Sequence, residues 1–163
     1  MFTLNTRNIT IIFVIFLLLV LILYFIMVSL ISWIAKDEIW TEFPESCPGT
    51  PNCTRVADYN VRGEDLVPPA LNLTEEKVMD AVVSWINDQA RSKILFQSND
   101  FVHARFLSSF FHFPDDFAVK ISSDQSRTIV WVQSQSRLGQ SDLGVNEKRV
   151  SSFLSELENY FDN

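Results

Sequence analysis

A chain of 163 residues with a formal net charge of −7 has room for one modest domain. Every acidic residue lies at or beyond Asp37 and the basic ones are scattered among them. That arrangement excludes the clustered positive surface by which a protein grips nucleic acid, and it disfavours docking on an anionic bilayer.

Residues 1–8 form a short tail that carries Arg7, and residues 9–35 contain no charge and are dominated by Ile, Leu, Val and Phe. About 20 apolar residues span a bilayer, so this run predicts a transmembrane helix with some length to spare. A cleaved signal peptide is the competing reading. Its apolar stretch is usually about 7–15 residues and ends at a small-residue site, whereas this one continues into Ile31, Trp33 and Ile34. Positive charge near a membrane favours the cytoplasmic side. Arg7 and the terminal amine precede the helix, and Lys36 after it is followed at once by Asp37 and Glu38. The tail is therefore expected in the cytoplasm and the C-terminal domain outside it.

Residues 36–71 are rich in Pro, Glu, Asp and Asn and show no apolar period, so they read as an extended connector. Cys47 and Cys53 bracket Pro48-Gly49-Thr50-Pro51-Asn52, and a small disulfide loop is the economical reading. The sequons at Asn52 and Asn72 are candidate glycosylation sites in an extracytoplasmic compartment.

Residues 72–163 carry the folded domain. Thr74 is a candidate cap for a helix with Glu75 and Glu76 in its first turn, and Val78, Ala81, Val82, Trp85, Ile86 and Ala90 recur at helical spacing. Four strands are expected next, over Ile94–Gln97, Phe101–Leu107, Phe117–Ser122 and Thr128–Gln135. A last helix follows Asn146, its expected cap, with Val150, Phe153, Leu154, Leu157, Tyr160 and Phe161 on one face. The order implies an α+β, two-layer sandwich, a four-stranded antiparallel sheet under two helices, behind a transmembrane anchor.

The string Ser136-Arg137-Leu138-Gly139-Gln140-Ser141-Asp142-Leu143-Gly144-Val145-Asn146-Glu147-Lys148-Arg149 joins the last strand to the last helix. With Cys47-Pro48-Gly49-Thr50-Pro51-Asn52-Cys53 and Phe113-Pro114-Asp115-Asp116 it resembles the domain-of-unknown-function 1499 family, over roughly Cys47 to Phe161. Thr54-Arg55 departs from the hydroxyl-rich stretch that relatives often carry there. Members occur in bacteria and photosynthetic eukaryotes, so the resemblance implies a fold and a compartment rather than an activity.

Two chemistries suit that string. As architecture, Gly139 and Gly144 permit positive φ, Asp142 bonds its own backbone, Asn146 caps the helix, and Arg137 and Arg149 pair with Asp115 and Asp116; the candidate ligand-binding set is Arg137, Gly139, Ser141, Asp142, Gly144, Asn146 and Arg149. As an anion site, the two arginines flank free N–H groups at a helix start, suiting a carboxylate, a phosphate or a lipid head group.

Catalytic groups are sparse. Asp115 and Asp116 are neighbours on a strand and point to opposite faces, His103 and His112 are the only histidines, and no nucleophile elbow, phosphate-cradling glycine loop or metal-ligand spacing appears. No cofactor or metal is expected. The run Phe110, Phe111, Phe113 belongs either to the core or to an exposed interaction patch. The reading that follows is a single-pass, non-enzymatic structural or assembly module working through protein contacts on the extracytoplasmic side. The alternative is a small-ligand, anion or lipid binder using the Arg137/Arg149 loop.

Overall fold

The computed structural model describes residues 5–124 and 126–162. It divides into two compact units, Met1–Lys36 and Asp37–Asn163. The first holds α1, Thr6–Ile34, whose 29 residues are long and apolar enough to cross a membrane. Asn5 caps it, its side chain accepting from the Arg7 N–H.

The second unit is α+β: β1 (Cys53–Val56), β2 (Ala70–Leu71), α2 (Glu75–Asp88), β3 (Ser92–Gln97), β4 (Phe101–Leu107), β5 (Pro114–Asp124), β6 (Arg127–Ser136) and α3 (Val145–Asp162). The sheet is antiparallel throughout, in the order β1-β6-β5-β4-β3, with β2 pairing farther along the same edge of β6 as β1. Six strands replace the expected four. The two additions come from the segment read as a connector. Four consecutively buried residues, Cys-Thr-Arg-Val, and a two-residue pair carry no alternation by which a strand is recognised.

Period-2 geometry sorts the strand residues onto two faces. Val102, Ala104 and Phe106 of β4, Phe117, Val119 and Ile121 of β5, and Val130 and Val132 of β6 meet Val78, Val82, Trp85 and Ile86 of α2 and Val150, Phe153, Leu154 and Leu157 of α3. At the centre Trp85, Phe117 and Phe153 stand mutually 5.0–5.4 Å apart, mostly tilted or edge-on, the favoured aromatic geometry. Thr74 caps α2 through its hydroxyl, which accepts from the Lys77 N–H.

Residues 37–47 are no loose connector. They lie as a strap over the opposite face of the sheet, where Trp40 stacks on His103 at 4.5 Å, Phe43 meets Trp131 and Arg55, and the Pro44 and Ser46 carbonyls accept from Arg55 and Gln133. A disulfide from Cys47 to Cys53 ties the end of the strap to β1.

Candidate functional site

At the end of the sheet where β4, β5 and β6 meet loops 108–113 and 137–144, charged side chains are gathered on both faces. Asp115 and Asp116 point to opposite sides of β5, and each finds one arginine. On the helix side, Arg149 of α3 donates to Asp115 at 2.8 Å and also to Ser134 and Asn146, with its guanidinium 4.8 Å over the Phe106 ring. Ser136 donates to the second Asp115 oxygen.

On the strap side Arg137 grips Asp116 with two nitrogens, at 2.6 and 2.9 Å, and reaches Asp37 at 2.8 Å. Asp37 is shared with Arg105. Burial pushes the Asp37 carboxyl up, but the hydrogen bonds and charges of Arg137 and Arg105 outweigh it and hold the group below its ordinary value. Asp116 also meets His103 Nε2 at 2.8 Å. The other ring nitrogen, Nδ1, accepts from the Trp40 backbone N–H at 3.1 Å, so the neutral imidazole carries its proton on Nε2 and donates to Asp116. Both nitrogens of this fully buried ring are occupied.

The turn into α3 is built by Asp142. One of its oxygens accepts from the Asn146 N–H at 2.8 Å, and the other from the Gly144 N–H and from Arg62. Desolvation raises the Asp142 pKa, and these donors overcome it and lower the net value. The capping role expected of Asn146 therefore belongs to Asp142. Asn146 lies inside the first turn, its side chain donating to the Asn52 carbonyl and Ser136 and accepting from Ser134 and Arg149. Gly139 and Gly144 take φ of 84° and 78°, and Leu143 adopts 54° without glycine's freedom. The Ser141 hydroxyl accepts from the Leu143 N–H.

Above these pairs opens a cleft of about 370 Å³ between the two loops, walled by Phe111, Phe113, Leu138, Leu143 and Val145 and floored by Asp115, Ser136 and Asp142. Phe110, Phe111 and Phe113 are 62 %, 42 % and 40 % exposed, and Leu143 is 90 % exposed. Phe111 touches both of its neighbours, with ring centroids 4.8 and 5.6 Å away. Of the two readings of the phenylalanine run, the exposed patch is the one the fold displays.

The family described as "Protein of unknown function (DUF1499)" matches residues 45–157, more than half of the chain. The chain belongs to that family. No curated protein matches it.

The family match contains the three segments that the fold brings together: the disulfide loop, Asp115-Asp116 and the 136–149 string. Asn52, inside the disulfide loop, is 2 % exposed and gives its amide nitrogen to the Gly139 and Ser136 carbonyls. The folded domain thus does not offer Asn52 to a glycosylating enzyme, whereas Asn72 is exposed. Arg55, Arg62, Arg105, Asp37 and His103 complete the polar network and were not singled out as site residues from sequence. Arg55 is the most buried of the three arginines, sandwiched between Phe43 and Tyr59 and bonded to Asp58 and Gln133. Its only advance signal was the departure Thr54-Arg55. Among the described residues no three His, Cys, Asp or Glu side chains are grouped as a metal ion requires.

Proposed function

We propose that this chain is a single-pass, membrane-tethered module that binds rather than catalyses, its tail in the cytoplasm and its 37–163 domain outside, holding a hydrophobic component of its membrane or assembly. The observation that carries the reading is the cleft between loops 108–113 and 137–144, with large apolar side chains exposed on both lips. Small domains seldom leave contiguous apolar surface in water without a use for it.

The remaining chemistry points the same way. His103 has no free nitrogen for a proton transfer, and Asp116 is shared between it and Arg137. The anion version of the binding reading has less support than an apolar one, because Arg137 and Arg149 are committed to carboxylates and Asp142 takes the N–H groups at the start of α3. The cleft's volume and mostly apolar walls suit an apolar guest in the range usual for ligand sites. The outside placement rests on the charge flanks and on a disulfide, which persists in oxidising compartments.

A photoreactive residue placed at Leu143 or Phe111 of the full chain in its native membrane tests this. Adducts are expected at both positions and not at Asn99, an exposed residue in the β3–β4 turn at the far end of the sheet. Labelling no greater than at Asn99 overturns the reading.

A further inference from the structure

We infer that the hydrophobic component is lipid: the two lips enter the interface of the bilayer that α1 crosses, and the cleft receives part of an acyl chain from a neutral, zwitterionic leaflet. This rests on the binding reading above and names its ligand class.

The first line of argument is where the domain begins. Asp37, its first residue, is clamped by Arg105 near the end of β4 and by Arg137 just after β6. That is the end from which loops 108–113 and 137–144 depart. Only Ala35 and Lys36 stand between Asp37 and α1 in the chain, so a membrane holding α1 keeps lipid at high local concentration near this end.

The second line is what the lips consist of. Leu143 is 90 % exposed and held at φ 54°, a conformation that glycine or asparagine adopts more readily. It contributes neither buried area nor backbone ease to the fold. Phe110, Phe111 and Val145 extend the same exposed apolar surface. Aromatic and aliphatic side chains on adjacent loop tips are comfortable at the boundary between head groups and acyl chains, where their apolar area leaves water.

The third line is charge. The carboxylates on the cleft floor, Asp115 and Asp142, are tied to Arg149 and Arg62, and Asp37 and Asp116 are tied to Arg137. Internal pairing leaves this end of an acidic domain with little charge to desolvate. The exposed charges beside it are of both signs, Glu38 and Glu147 against Lys36, Arg91 and Lys148, and the acidic balance of the whole chain favours a zwitterionic surface over an anionic one.

The test uses the full chain in phosphatidylcholine vesicles. Both native cysteines are in the disulfide, so Leu143→Cys or Asn99→Cys offers one thiol for an environment-sensitive fluorophore. We expect blue-shifted emission at Leu143 that is lost on adding lipid spin-labelled near the head group, and no loss at Asn99. Phe110→Asp with Phe111→Asp is expected to return the Leu143 signal to the Asn99 level, and anionic lipid to leave it unincreased. Equal quenching at the two positions overturns the lipid assignment. If Leu143 then still forms photo-adducts with a protein in native membranes, the binding reading stands and only its ligand class falls. If it forms none, both fall.

Discussion

The two faces of the central sheet are covered by different means. One meets α2 and α3 through interlocking aromatic and aliphatic side chains, with Trp85, Phe117 and Phe153 at its heart. The other is crossed by a strap without regular structure, held by Asp37 on two arginines, by Trp40 on His103, by Arg55 between two aromatic rings and by a disulfide. Apolar burial is non-directional and tolerates small adjustments in packing, while each polar latch needs its own partner in place. The helix face therefore supplies most of the cohesion, and the strap face fixes one conformation of a segment that has no period to fold by itself.

Phe117→Ala opens a cavity at the centre of the helix face and is expected to lower stability by about 4 kcal/mol, read by denaturant titration. Asp116→Ala probes the other face. It leaves His103 and part of Arg137 buried without their acceptor, at an expected cost of about 3 kcal/mol. If the polar variant proved the more damaging, the division of labour between the faces would be reversed.

Joint replacement of Cys47 and Cys53 by serine is expected to cost about 2 kcal/mol, the loop being short. Hydrogen exchange should rise first in residues 37–56 and leave α2 and α3 protected. Uniform loss of protection would mean that the strap and the helix face unfold as one unit.

Asp37→Asn is a gentler break, because the carboxylate is partly exposed and its pairs are screened; about 1 kcal/mol is expected at neutral pH. The folded pKa of Asp37 lies below the ordinary 3.8. Its contribution is thus fully present above the ordinary value and lost as pH falls through the folded one. Wild type and variant should converge in strong acid, and a gap that persisted there would show that the charge is not what holds the strap.

The same contrast decides what could be read in the sequence. The helix face was legible: Val78 to Ile86 and Val150 to Leu157 keep the helical period, and α2 begins at the Thr74 cap expected of it. The strap face was not. Trp40, Phe43 and Arg55 act through single long-range pairings that no local period announces, and β1 is buried on both sides without alternating. The pairing of Asp115-Asp116 with two arginines could be anticipated because neighbours on a strand diverge. The exchange of roles between Asn146 and Asp142 could not, since either side chain can cap a helix and the winner is set by partners as remote as Asn52.

The lips of the cleft belong to neither face, and they offer the smallest effect on stability with the clearest meaning. Leu143→Asn removes an apolar side chain that is 90 % exposed from a backbone position asparagine adopts with ease. Stability should hold or rise by about 0.5 kcal/mol, measured by thermal unfolding, because no buried area is lost and strain is relieved. Association of the lip with lipid should weaken at the same time. A change that leaves the fold untouched and removes binding separates what a residue does for the structure from what it does beyond it. A marked loss of stability would instead return Leu143 to the architecture of the turn and leave the binding lip to the phenylalanines and Val145.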